Sequence, residues 1–134
     1  MLTSARTQRE AGEKELVWII NPNHPIAEGL PECIKIEHEE MYGEPFSIPE
    51  PLETVMISHF EGGEVFRSGV TYRRGAGNVF YFRPGHEAYP TYYNADVLRV
   101  MRSSAVCAVL ARLPGVQVDP GPGITLRYQG SKAP

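Results

Sequence analysis

Residues 1–14 are almost uniformly polar and charged, and an unbroken apolar run, Leu16-Val17-Trp18-Ile19-Ile20, follows before Asn21-Pro22-Asn23 stops it. A run this short, rich in β-branched and aromatic residues and bounded by turn residues, predicts a strand buried on both faces. Pro25 suits the first position of a helical turn and Gly29 its end, so residues 25–28 are expected to make one turn. From Ile34 to Glu39 apolar and polar residues alternate, which predicts a half-exposed strand. Pro45, Pro49 and Pro51 forbid a regular ladder, making residues 44–52 a loop. Strand character resumes over residues 54–60 and turns through Glu61-Gly62-Gly63-Glu64 into residues 65–72. It turns again at Arg74-Gly75-Ala76-Gly77 into Val79-Phe80-Tyr81-Phe82, so the simplest arrangement is a three-stranded meander. Asn94 is a good N-cap, and Leu98, Met101, Ala105, Ala108 and Val109 recur at spacings of three and four, predicting a helix from Asp96 to about Leu113. Residues 114–134 carry four prolines and four glycines, the composition of a tail without its own core. One helix covers one face of such a sheet, so a second layer is missing.

At 134 residues the chain is one small domain or part of a larger one, with residues 1–14 a polar lead, 15–113 the folded body and 114–134 a Pro/Gly-rich tail. Lys and Arg number 13 against 16 Asp and Glu, a formal net charge of -3, and the basic residues do not cluster beyond Arg73-Arg74. Such a balance offers no long-range attraction to nucleic acid or to an anionic membrane. Cys33 and Cys107, without paired spacing, suit buried apolar thiols in a reducing cytoplasm rather than a disulfide or a thiolate zinc site. The first apolar run is too short for a signal sequence or a membrane span.

Few arrangements in the chain can carry chemistry. No serine or cysteine sits in a nucleophile elbow, and Ser58 and His59, as strand neighbours, point to opposite faces and cannot share a proton. Arg74-Gly75-Ala76-Gly77-Asn78 lacks the third glycine and following helix of a dinucleotide cradle, so it is a turn. Glu37-His38-Glu39-Glu40 could join His59, Glu61 or His86 at a metal, but no two histidines have the i, i+4 spacing of a helical metal site. A solvated strand edge is the better account, with no metal and no cofactor. The segment from Phe82 to Asn94 differs. Six of the 13 aromatics fall between Phe80 and Tyr93, and Gly85-His86-Glu87 follows directly on a strand, where open α/β sheets place ligands. An imidazole there can act as acid or base, and Tyr89 and Tyr92 suit stacking on a polyhydroxylated ring. The structural alternative is that the two tyrosines pack the helix onto the sheet and His86 caps a turn.

These residues carry a resemblance. Residues 21–30 (Asn-Pro-Asn-His-Pro-Ile-Ala-Glu-Gly-Leu), Glu39-Glu40-Met41-Tyr42-Gly43-Glu44, the segment from His59 to Gly69, Arg74-Gly75-Ala76-Gly77, and Phe80 to Glu87 with Tyr89-Pro90-Thr91-Tyr92 together resemble the ThuA family of trehalose-utilisation proteins. The similarity covers about Thr7 to Met101, with five motifs in order. It implies a flavodoxin-like α/β sheet related to class I glutamine amidotransferases without their catalytic cysteine, present here only in its strand-rich second half plus one helix. It also implies a role in sugar catabolism, linked to dehydrogenases that make 3-keto-sugars. The family's acidic-x-Tyr motif falls on Glu40, Met41 and Tyr42, its Gly-His on Gly85 and His86, and its His-Pro on His24 and Pro25. After Met101 the chain departs from the family's pattern.

The expectation is a cleft in which His86, Glu40 and Tyr42 do acid/base chemistry on trehalose or a related keto-sugar, with His24, His59, Glu61, Glu87, Tyr89 and Tyr92 contacting the substrate. The alternatives are a sugar-binding or scaffold module without catalysis, and an inactive truncated product. Because the missing layer would bare an apolar face, the chain is expected to pair as a homo-oligomer or with a partner that supplies the other half.

Overall fold

In the computed structural model, residues 8–110, 116–119 and 125–128 are described. Five strands, β1 (Gln8–Ile19), β2 (Cys33–Tyr42), β3 (Glu53–Phe60), β4 (Val65–Arg74) and β5 (Gly77–Phe82), form one sheet in the order β2-β1-β3-β4-β5, and every pairing in it is antiparallel. One α-helix, α1 (Ala95–Leu110), follows two short 3-10 helices at Pro25–Ala27 and Pro90–Tyr93. The chain is therefore an α/β domain, a sheet with one α-helix among the described residues.

The meander is found as the turn residues predict: Gly63 (φ 91°) lies in the first turn and Gly75 (φ 57°) in the second, where left-handed backbone favours glycine. The loop of residues 44–52 joins β2 to β3, and Arg67 holds its start by donating to the Glu44 carboxylate (Nε to Oε1 2.7 Å). Asn94 caps α1: its Oδ1 accepts from the amides of Asp96 (2.9 Å) and Val97 (3.2 Å), and its Nδ2 donates to the Lys35 carbonyl of β2 (3.0 Å). The last residues of the expected helix, 111–113, lie outside the described residues.

Three expectations are corrected. β1 begins at Gln8, so part of the stretch read as a polar lead is strand. Its pairing with β2 shifts between Arg9 and Glu13 and again between Glu13 and Glu15. The apolar run is buried on one face only. Val17 is fully buried, whereas Trp18 and Ile20 are 40% and 48% exposed, because β1 lies inside the sheet but only one side of the sheet carries the helix. In the region read as an irregular tail, β6 (Val116–Asp119) and β7 (Thr125–Tyr128) pair antiparallel.

The covered side holds the core: Val17, Ile34, Ile36 and Met56 of the sheet pack against Ile26 and against Val97 and Val100 of α1. A second cluster, Met41, Phe60 and Phe66, lies under Tyr42 and Phe46.

Candidate functional site

The segment after β5 is fastened to the sheet by a carboxylate. Glu39 is fully buried; its Oε2 accepts from the Gly85 amide (2.9 Å) and the Thr91 hydroxyl (2.6 Å), and its Oε1 accepts from the Glu40 amide (2.9 Å). Three donors satisfy the charge that burial strips of water. Glu39 and Glu40 are thus not a solvated strand edge as expected, although Glu37 and His38 are exposed. The register shifts in β1 accompany this change, because strict alternation would have turned one of the two glutamates outward.

Gly85 has φ 136°, and a Cβ there would overlap the Tyr92 hydroxyl. Gly12, at φ 70° in the irregular part of β1, is in turn covered by the Tyr89 ring. The two glycines let two tyrosines approach the backbone closely on either side of the loop that presents His86.

His86 stands between two carboxylates: Nε2 is 4.0 Å from Glu40 Oε2 and 3.8 Å from Glu87 Oε2. Glu40 is 7% exposed and Glu87 lies open to solvent. Nδ1 accepts from the Ala88 amide at 3.1 Å, so the neutral ring carries its proton on Nε2, facing Glu40. His86 caps a turn and faces a buried carboxylate at once. The Tyr89 ring lies 5.3 Å from the imidazole. Tyr42 hydrogen-bonds Glu40, and its phenol is held above the usual tyrosine range first by burial and then by that carboxylate.

Behind Glu40 lies a polar layer that strand patterning did not disclose. Arg83 Nη1 donates to the Glu40 carbonyl (2.7 Å) and Nη2 to Glu15 Oε2 (2.6 Å). Its guanidinium sits 4.9 Å from the Tyr42 ring centroid and 5.5 Å from that of Phe60, contacts that favour a buried cation. The Ser58 hydroxyl donates to Glu15 Oε1. Burial pushes the Glu15 carboxyl up to about 7 against the opposing pull of Arg83 and Ser58. Glu15, Glu39, Ser58 and Arg83 were missed as site residues because their partners lie 43 to 68 positions away in sequence. The one available signal was charged residues at inward strand positions.

The structure thus brings together Glu40, Tyr42, His86, Glu87 and Tyr89, with Tyr92 beneath Gly85. His24 belongs elsewhere: it caps the first 3-10 helix through Nδ1 and faces Glu53 (Nε2 to Oε2 3.5 Å). His59 is exposed on the side of the sheet opposite Ser58, and Glu61 is exposed in the turn after β3. Among the described residues no group of three or more His, Cys, Asp or Glu is placed to hold a metal, and no helix is long and apolar enough to cross a membrane.

No curated protein matches the chain. Residues 1–106 match the profile of the ThuA family, described as trehalose utilisation, and that span includes every residue of the His86 cluster. Since it covers well over half of the 134 residues, the chain belongs to the ThuA family of trehalose utilisation.

Proposed function

We propose that this protein acts in the utilisation of trehalose or a related keto-sugar, with Glu40 as the base that takes up a proton from the sugar and the Nε2–H of His86 as the hydrogen-bond donor that holds the reacting oxygen. One observation carries this proposal: the Ala88 amide occupies Nδ1, so the exchangeable proton of the neutral ring is held at Nε2, between a buried and an exposed carboxylate. A neutral imidazole held in this way donates a hydrogen bond to charge that builds up on a sugar oxygen, and a positioned carboxylate beside it supplies general base catalysis. Tyr42, bonded to Glu40, keeps that carboxylate in place, and Tyr89 and Tyr92 offer ring faces to a sugar. Family membership supports the substrate class. The flavodoxin-like, amidotransferase-related domain that the family resemblance implies has a parallel sheet, which the antiparallel sheet of the described residues does not match; two cysteines without a disulfide suit work in a reducing cytoplasm.

The test is conversion of trehalose and of a 3-keto-glucoside, followed by NMR of the sugar, in the full chain and in Glu40→Gln. Glutamine keeps the shape of the carboxylate and a hydrogen bond with Tyr42 but cannot take up a proton. The expected outcome is a loss of conversion of about 100-fold or more with sugar binding retained. Equal conversion by both proteins would refute the assignment. A second reading, a sugar-binding module without catalysis, is favoured by the turn-capping role of Nδ1. It predicts sugar binding with no turnover in either protein.

A further inference from the structure

A separate cavity of about 260 Å³ lies between the first 3-10 helix, the start of β3, the β4-β5 hairpin and the C-terminal half of α1. None of the His86 cluster lines it. Its walls are largely apolar, with Ile26, Phe80, Cys107 and Ala108 inside. Leu52 and Val79, 68% and 45% exposed, are also part of the lining. Apolar side chains of this size left open around a concavity cost free energy unless something covers them. Among the described residues that line it, Glu53 is the one carboxylate, and a histidine faces it (Nε2 to Oε2 3.5 Å). That histidine, His24, is held below its usual range by burial, and its Nδ1 already accepts from the Ile26 amide, so it leaves the carboxylate's charge unbalanced. The aromatic rings of Tyr72 and Phe80 stand in the same lining, and ring faces attract cations.

We propose that this cavity binds a small organic cation: a primary ammonium group on a single-ring apolar body, the ammonium at Glu53 and the ring against Phe80, Cys107 and Ala108. A concavity of this size holds a single ring, and an apolar lining with one carboxylate selects against sugars and anions alike. The site is distinct from the sugar site, so its occupant is an effector or a second substrate group and not the trehalose-derived sugar.

The experiment titrates the full chain with benzylamine, benzyl alcohol and benzoate, following backbone amides by heteronuclear NMR. Benzylamine is expected to shift the amides of Glu53, Phe80 and Ala108 and to bind at least about fivefold more tightly than benzyl alcohol, with benzoate weakest. Glu53→Gln should reduce benzylamine to the affinity of benzyl alcohol. Ala108→Leu, which fills the cavity, should abolish binding of both. Ser104→Met narrows the cavity from the same helix and serves if Ala108→Leu does not fold. Equal affinity for benzylamine and benzoate, shifts confined to other residues, or no saturable binding would each overturn the proposal.

Discussion

Glu15 shows most clearly how a single residue can bind the sheet to the site. Its carboxyl is fully buried, receives hydrogen bonds from Arg83 and Ser58, and still has its acidity pushed from the ordinary 4.5 up to about 7 because burial outweighs both donors. In the unfolded chain the group loses its proton near 4.5, and in the folded chain near 7. The neutral carboxyl therefore stabilises the fold fully below about pH 4.5, and that contribution is lost as pH rises to about 7. Glu15→Gln, neutral at every pH and nearly the same shape, removes the dependence. Between those two pH values, wild-type stability in urea is expected to fall by on the order of 2–3 kcal/mol relative to Glu15→Gln. Parallel stability curves for the two proteins would show that Glu15 is ionised throughout.

Among the elements, the 3-10 helix Pro90–Tyr93 decides where His86 stands, and Thr91 is its anchor. The buried Thr91 hydroxyl donates to Glu39, the same carboxylate that holds the Gly85 amide, so helix, loop and β2 meet at one side chain. Thr91→Val keeps the shape and deletes the donor. It is expected to cost about 1–3 kcal/mol in denaturant unfolding and to quicken amide exchange at Gly85, and Thr91→Ser should restore both. Unchanged exchange at Gly85 in Thr91→Val would mean that the loop is held without this bond. The elements themselves were largely legible. Turn glycines bounded the meander, prolines marked the loop, and Asn94 marked the start of the helix, since these signals act within a few residues. The first half of β1 was not legible, because Gln8 to Lys14 has no apolar alternation and is strand only through its pairing with β2. The site was legible in the same measure. Glu40, Tyr42 and His86 came from short motifs, whereas Glu15, Glu39 and Arg83 depend on contacts between distant strands that no local pattern encodes.

At the scale of the whole molecule, the governing fact is that, among the described residues, the sheet carries its helix on one side only. Strand alternation puts Leu16, Trp18 and Ile20 on the side away from α1, and pairing sets Ile57 beside Trp18, His59 beside Leu16, and Val65 beside His59. Trp18, Ile20 and Val65 are between 40% and 48% exposed, so an apolar band crosses three adjacent strands. In a solution of this chain alone, the cover at hand is a second copy using the same band, the arrangement of a two-fold dimer. The purified protein is therefore expected to sediment above its monomer mass of 14.9 kDa. The fluorescence of Trp18, the single tryptophan, should become more accessible to acrylamide on dilution. Ile20→Lys together with Trp18→Thr puts charge and polarity on the band while keeping strand-compatible side chains on a surface that α1 does not touch. The double variant should sediment as a monomer with its circular dichroism unchanged. A wild-type protein that is a monomer at all concentrations, with one cooperative thermal transition, would show instead that the band tolerates water and that the sheet is stable with a single layer.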